Sequence, residues 1–252
     1  MDRLVHLALN TIKHAQEDST IRSNNLANVS VPGFRRDLEP KNVESSFLKS
    51  MEAHETRAYA LREGKNRFSD DQGRIEHTGN ETDVAINGDG YFVIQPVEGD
   101  IALSRRGDFR VNIDGFLIDG EGNQVLNAGL QPIVLPPYRT LVIGNDGRIT
   151  IEPLDGEPGQ RDEIGFVATI APEVKDLKKF IDGEIRFVDE RAIQPDQQAE
   201  ITQGYLESSN VNPVDEMVRM LKKQRHYELN VRLMTVAREL DESGASIMRM
   251  PR

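Results

Sequence analysis

At the centre of the chain stands Phe109-Arg110-Val111-Asn112-Ile113-Asp114-Gly115-Phe116-Leu117-Ile118. In this stretch two short apolar runs lie on either side of an Asp-Gly pair. Asp-Gly is typical of tight hairpin turns, because these turns need positive φ angles that glycine tolerates. The stretch therefore predicts an antiparallel β-hairpin.

The same arrangement recurs on both sides of this hairpin. Tyr91-Phe92-Val93-Ile94 follows the turn sequence Asn87-Gly88-Asp89-Gly90, and Leu141-Val142-Ile143 is separated from Ile149-Thr150-Ile151 by Asn145-Asp146-Gly147. Frequent turns without a long helix between them indicate a compact antiparallel β domain. We expect this domain to cover residues 78–205.

The two ends of the chain have a helical pattern instead. Near the N-terminus, apolar residues recur at steps of three and four, and the helix is expected to end near Asn28, because Pro32 and Gly33 follow. At the other end, Asn212 can cap a helix whose first position is Pro213. The C-terminal helix carries two mixed apolar seams, one through Val214, Met217, Leu221, Gln224, Glu228, Val231 and Thr235 and one through Met220, Tyr227, Met234 and Ala237.

Two mixed seams suit a helix with several helical neighbours, although an ordinary amphipathic helix lying on its own domain would show a similar periodicity. The predicted fold class is α+β, with N- and C-terminal helices packing together as a helical domain beside a central antiparallel β domain. The expected divisions are residues 1–33 for the first helix and turn, 34–77 for a connector of mixed structure, 78–205 for the β domain and 206–252 for the second helix.

Composition narrows the range of partners. The 252 residues include 31 Lys and Arg against 42 Asp and Glu, a net charge of −11, which disfavours nucleic acid as a partner. No run approaches the roughly 20 apolar residues that cross a bilayer, so stable membrane insertion is not expected. The first residues lack the apolar block of a cleaved signal peptide, and without further information the default location is the cytosol.

Residues with catalytic or metal-binding chemistry do not form recognisable motifs. His54-Glu55 begins like a zinc-protease motif, but Ala58 stands where the second histidine belongs. The five histidines lack ligand spacing and cysteine is absent. We therefore predict no catalytic residues, no cofactor, no metal site and no enzymatic activity.

Three stretches resemble the flagellar rod and hook protein family. The first is Ser23–Arg35, with Asn24-Asn25-Leu26-Ala27-Asn28 followed by Val31-Pro32-Gly33-Phe34-Arg35, in which Val31 replaces the usual threonine. The second is Thr78–Phe92, and the third is Gln203–Asn212 together with Gln224-Arg225-His226-Tyr227-Glu228. They occur in the family's order, and a short stretch between Ile185 and Gln203 is most similar to proximal rod members.

The resemblance implies a structural subunit of the bacterial flagellar basal-body rod, with copies of itself and other rod proteins as partners. It also implies export through the flagellar type III apparatus without a cleaved signal, and a periplasmic location in place of the cytosolic default. The terminal helices would polymerise into the axial, torque-transmitting shaft. The expected assembly residues are Leu4, Leu7, Ile12, Asn24, Asn25, Asn28, Met217, Leu221, Gln224, Arg225, Tyr227, Val231 and Met234.

Other interpretations stay open on the sequence alone. The chain could be a distal rod or hook-type protein of the same family. A cell-wall-binding β module would need an exposed aromatic platform, but tryptophan is absent and aromatic residues make up 6% of the chain. A hydrolase would need paired carboxylates, and no such pair stands out.

Overall fold

The computed structural model describes residues 2–39, 42–43, 61–62, 67–157, 159–180 and 182–248. The chain forms two compact units, and each is built from segments that are separate in the sequence. The helical unit consists of Met1–Ala27, Asp37–Lys65 and Asn212–Arg252, and the β unit consists of Asn28–Arg36 and Asn66–Val211. The α+β class expected from the sequence is confirmed.

Two long helices dominate the helical unit. Helix α1 covers Asp2–Ala27, and helix α2 covers Pro213–Met248. Between them in the chain lie three two-residue strands, β1 (Asp37–Leu38), β2 (Asn42–Val43) and β3 (Leu61–Arg62), of which β2 and β3 pair antiparallel. Residues 44–60 of the connector expected at residues 34–77 lie outside the described part of the chain.

Local sequence sets the helix ends, as expected. The α1 helix ends at Ala27, before the turn that contains Pro32 and Gly33. Helix α2 begins at Pro213, and Asn212 Oδ1 accepts hydrogen bonds from the backbone N–H groups of Val214 (3.1 Å) and Asp215 (3.3 Å). Asn212 is therefore the N-cap that the sequence predicts. In the described part of the chain, no helix is both long and apolar enough to cross a membrane.

The β unit is made of short strands. In chain order they are β4 (Arg67–Phe68), β5 (Ile75–His77), β6 (Val84–Asn87), β7 (Tyr91–Gln95), β8 (Ala102–Ser104), β9 (Arg110–Val111), β10 (Leu117–Ile118), β11 (Gln124–Val125), β12 (Tyr138–Ile143), β13 (Arg148–Pro153), β14 (Asp162–Phe166), β15 (Thr169–Ile170), β16 (Leu177–Lys179), β17 (Ile185–Phe187), β18 (Glu200–Gln203) and β19 (Tyr205–Glu207). A short 3-10 helix covers Val174–Asp176, just before β16.

The main sheet has the order β16-β17-β8-β7-β11-β10-β9, and β15 also pairs with β7. The predicted hairpin is present, with Leu117 opposite Val111 and Ile118 opposite Arg110 across the Asp-Gly turn. A second sheet has the order β12-β13-β14, and its first hairpin is also the one predicted. Two antiparallel pairs, β18 with β6 and β19 with β5, join the end of this region to its beginning.

Strand β7 explains the position of the core. Phe92 belongs to one buried cluster, whereas Tyr91 and Val93 belong to a second, because successive side chains of a strand point to opposite faces. Phe92 meets Phe109 edge to face with ring centroids 5.1 Å apart. Both faces of β7 are therefore covered, which is why this strand is a continuous apolar run.

Candidate assembly surface

Polar contacts fix how α1 and α2 lie against each other. Lys223 Nζ donates to the Asp18 carboxylate at 2.5 Å, and Arg22 Nη1 donates to Glu216 at 2.9 Å. Asp18 precedes Arg22 along α1, whereas its partner Lys223 follows Glu216 along α2. The two helices are therefore antiparallel. Asp18, Arg22 and Glu216 are buried, and such charges fit in an interior because they are paired.

Glu39 extends this network from the segment that follows α1. It pairs with Arg22, and it lies 3.6 Å from Lys223 Nζ. Two cations and three carboxylates therefore specify one register of the helices. A shift by one helical turn would separate the buried pairs, and breaking a buried pair costs about 3–5 kcal/mol.

Two residues of the predicted second seam of α2, Met220 and Tyr227, lie towards α1. Met220, Lys223 and Tyr227 follow Glu216 at steps of three and four. With Gln224 they border a groove of about 410 Å³ whose other wall is formed by Ala15, Gln16 and Ser19 of α1. We call Glu216, Met220, Lys223 and Tyr227 the inner face of α2.

The first seam begins on the opposite side of the helix. Val214, Met217 and Leu221 are 67%, 51% and 59% exposed. At 100° a residue, these positions and Val218 lie about 140° around the helix axis from the inner face. We call Val214, Met217, Val218 and Leu221 the outer stripe; exposed Leu229 and Val236 continue it further along α2.

The expected assembly residues fall into three groups. Met217 and Leu221 belong to the outer stripe, and exposed Arg225 lies on the same side of α2. Tyr227 belongs to the inner face, Gln224 borders the same groove, Val231 is exposed and Met234 is half-buried. The side chains of Leu4, Leu7 and Ile12 lie outside the described part of the chain, so their packing stays a prediction.

The predicted asparagines lie at the end of α1. Asn25 exchanges two hydrogen bonds with the backbone of Asp37, donating from Nδ2 to the carbonyl at 2.9 Å and accepting the N–H at Oδ1 at 2.7 Å. Asn24 donates to the Asp37 carboxylate at 2.7 Å, and the Asn28 carbonyl accepts the Val31 N–H at 3.2 Å. The side-chain amides of Asn24 and Asn25 and the backbone carbonyl of Asn28 therefore hold the chain as it leaves the helix.

Sequence reasoning missed the residue that anchors the turn segment, Asn28–Arg36. Within the β unit, buried Glu207 lies between two buried arginines, with Arg105 Nη2 at 2.6 Å and Arg35 Nη1 at 3.3 Å. The Glu207 carbonyl also accepts the Gly33 N–H at 2.7 Å. Glu207 stands inside a quoted motif, but sequence spacing gives no signal that pairs it with arginines 102 and 172 positions earlier.

Asn210 holds the same segment a few residues further on. Its Oδ1 accepts the Arg36 N–H at 2.7 Å, its N–H donates to the Phe34 carbonyl at 3.3 Å, and its Nδ2 donates to the Asp71 carbonyl at 2.7 Å. The stretch that precedes α2 and the stretch that follows α1 are thus fixed to each other inside the β unit.

Comparisons of the sequence with known proteins identify the family. The family described as "Flagellar basal body rod FlgEFG protein C-terminal" matches residues 202–247, and "Flagellar hook protein FlgE/F/G D1 domain" matches residues 85–151. The flagellar basal-body rod protein FlgF of Caulobacter vibrioides is 30% identical over 97% of both chains. The chain belongs to the flagellar basal-body rod protein family.

Other rod proteins match to a similar extent. FlgF of Mesorhizobium japonicum is 33% identical over 84% of this chain and 83% of its own length. The rod protein FlgG of Bacillus subtilis is 26% identical over 99% of this chain and 100% of its own. The resemblance found in the sequence motifs is confirmed. The match to the C-terminal family, over residues 202–247, covers both Glu207 and the outer stripe of α2.

Proposed function

We propose that the chain is a structural subunit of the flagellar basal-body rod, which polymerises through its terminal helices. The outer stripe of α2 carries this proposal. Four apolar side chains at helical spacing lie on the side of α2 away from its contact with α1. Apolar surface of this kind is stabilised by about 25 cal/mol per Å² when a neighbour covers it.

The neighbour that covers the outer stripe is, in this proposal, another subunit that repeats the same contact. Contacts between copies that do not close on themselves produce a helical filament, which suits a stiff shaft that transmits torque. In this proposal α1 and α2 form a helical domain within the subunit, and the outer stripe packs on helices of adjacent subunits. The partners are copies of this chain and other rod proteins.

The finer assignments depend on the resemblance to rod proteins. We place the chain in the proximal rod, in the periplasm, after export through the flagellar type III apparatus without cleavage of a signal. FlgF relatives at 30% and 33% identity support the proximal position. No catalytic role is assigned to any residue.

A distal rod position is the second candidate, because FlgG proteins are also among the relatives. The two positions make different predictions for the length of the rod that remains when the chain is missing. Loss of a proximal subunit stops the rod close to the inner membrane, whereas loss of a distal subunit leaves the proximal part standing.

The experiment is electron microscopy of basal bodies isolated from cells that lack this chain. We expect the rod to be absent or arrested below its distal portion. Restoring the full-length chain should restore the rod. Complete, rotating rods in the deletion strain would overturn the proposed function.

A further inference from the structure

The groove between α1 and α2 is left unfilled by the side chains around it. It holds about 410 Å³, with Ala15 and Ser19 in its wall on α1 and Met220 and Tyr227 in its wall on α2. Ala15 and Ser19 are small and stand one helical turn apart, so another helix can approach this wall closely. A concave surface of this size is typical of sites that receive another group.

Tyr227 is the aromatic residue of this groove, and the subunit leaves it partly uncovered. It is 44% exposed although it belongs to the inner face of α2. Its hydroxyl makes no hydrogen bond to any residue in the described part of the chain. Tyrosines are enriched at protein interfaces because they combine a large apolar area with a polar end. Tyr227 therefore offers an anchor to a partner that enters the groove.

Charge decides which kind of surface fits this groove. Of the described residues that line it, Lys223 is the charged one, and its Nζ already lies 2.5 Å from the Asp18 carboxylate and 3.6 Å from the Glu39 carboxylate. The other polar groups of the lining are amides and hydroxyls. A further charge placed here would lose its water without gaining an opposite charge. The groove therefore suits an uncharged, apolar occupant.

The charges beside the outer stripe disfavour a contact between two stripes. Exposed Lys222 and Arg225 stand beside it, and neither forms an ion pair with a residue that the structure describes. The acid on the same side, Glu228, lies beyond Leu221 and accepts a hydrogen bond from Gln224 at 3.4 Å. Two stripes facing each other would bring the cations of both copies together, and like charges across an interface are costly. An uncharged surface covers the stripe better.

We propose that the outer stripe of one copy packs into the groove between α1 and α2 of the next copy. This inference rests on the proposed function, because it assumes that copies of the chain assemble through their helices. Stripe and groove are made of different residues of the same helical unit, so one copy can use both at once. The contact then extends from copy to copy instead of closing into a dimer. The occupant is a second copy of this chain.

The stripe and the groove also agree in length. Seven residue steps separate Val214 from Leu221 on the stripe, and seven separate Met220 from Tyr227 on the groove wall, so each extends about 10.5 Å along the helix axis. Apolar side chains at steps of three and four are the knobs that a groove between two helices receives. An exposed apolar residue of the β unit such as Ile113 stands in a turn and offers no such row.

The natural absence of cysteine makes a direct test possible. Leu221→Cys places a thiol on the stripe, and Ser19→Cys places one in the groove. Within one copy the stripe points away from α1, so these two thiols do not meet. The double variant replaces the wild-type chain in cells, and basal bodies are oxidised and separated without reduction. We expect a ladder of cross-linked copies, because a disulfide requires Cα atoms about 4.4–6.8 Å apart.

The matched control is Thr20→Cys with Leu221→Cys, since Thr20 is the next residue of α1 and lies outside the groove lining. We expect about tenfold less cross-linked chain from this pair, which corresponds to about 1.4 kcal/mol of preference for the contact. Basal bodies that contain the Ser19→Cys, Leu221→Cys chain without a ladder would overturn the contact, while the rod function would stand. Dimers from Leu221→Cys alone would show that stripe meets stripe and would also overturn it. Complete rods in the deletion strain would instead overturn the rod function itself.

A second measurement tests the shape of the groove. Ser19→Phe fills the groove, whereas Thr20→Phe adds the same side chain to the adjacent position outside it. The two variants carry the same change in helix propensity, so circular dichroism of the purified full-length chains should show equal helicity. We expect Ser19→Phe to lose swimming in soft agar and Thr20→Phe to keep it. Normal swimming of Ser19→Phe would contradict the proposal.

Discussion

The Glu207 carboxylate lies 2.6 Å from Nη2 of Arg105, and each of the two side chains is 1% exposed. Arg35 reaches the same carboxylate from the turn segment. One carboxylate therefore pairs with two buried guanidinium groups and ties the residues after α1 to the residues before α2. An ionic group in this position is stable only while its partners remain.

Replacement of this carboxylate should destabilise the β unit strongly. In the Glu207→Gln variant, both arginines lose their shared anion, and we expect the free energy of unfolding to fall by about 3–5 kcal/mol. Urea unfolding followed by circular dichroism measures this change. The control is Glu76→Gln, which removes an exposed carboxylate from the neighbouring strand β5 and should change stability by less than about 0.5 kcal/mol. Similar losses in both variants would contradict the anchoring role.

Gly33 offers a test of the same region through the backbone. It has φ of 67°, and a Cβ atom there would lie 2.3 Å from the carbonyl carbon and oxygen of Arg105. Neither backbone group can move aside easily, so we expect Gly33→Ala to cost about 3–5 kcal/mol.

The matched control for this variant is Gly88→Ala. Gly88 has a similar φ of 79°, but a Cβ there meets no described atom within 4 Å. This substitution carries the conformational cost alone, about 1–2 kcal/mol. Thermal unfolding of both variants separates the two effects. If both lose the same stability, the close approach to Arg105 is not what requires glycine at position 33.

Glu184 makes stability depend on pH. Burial raises the pKa of its carboxyl to about 7, and the negative charges of Glu121, Asp119 and Asp182 act in the same direction, against the opposite effect of Arg186. The folded state therefore favours the protonated form of Glu184. The stabilisation that this carboxyl contributes is complete below its ordinary pKa of 4.5 and is lost as pH rises towards 7.

The Glu184→Gln variant removes this titration. Between pH 5 and pH 8 we expect the variant to gain about 2.5 kcal/mol of unfolding free energy relative to the parent, because the parent must hold a buried charge at the higher pH. Urea unfolding at the two pH values measures the gain. Glu98→Gln, at an exposed position, should leave the pH dependence of the parent unchanged. A constant difference between Glu184→Gln and the parent would exclude the pKa shift.

Local sequence signals were sufficient to predict the helices and hairpins, but not which distant residues contact them. Asp114-Gly115 specifies its hairpin within ten residues, and Asn212-Pro213 specifies the start of α2, because both act through the backbone of their immediate neighbours. The seams of α2 also follow from periodicity. Which seam faces α1 could not be predicted, since this depends on Asp18 and Arg22 finding partners about 200 positions away.

The anchor around Glu207 shows the same limit. Its arginine partners come from two distant segments, and the buried state of all three charges exists only after the strands have paired. Sequence motifs therefore located the stretches that resemble the family, whereas only the folded structure shows which of their residues pack, which anchor other segments and which lie exposed.

The outer stripe provides the most direct test of assembly. The double variant Met217→Gln, Leu221→Gln removes two apolar side chains that are already more than half exposed in the subunit. Glutamine, leucine and methionine have similar helix propensities, so we expect the stability of the isolated chain to change by less than about 0.5 kcal/mol. Full burial of such a side chain contributes about 1.5–3 kcal/mol, and about half of this is still to be gained by each one in a rod; because the loss recurs at every subunit, rod assembly and swimming should be lost. Lys222→Gln, at the adjacent exposed position, serves as the control and should swim normally. Normal swimming of the double variant in soft agar would show that the outer stripe does not form the contact between subunits.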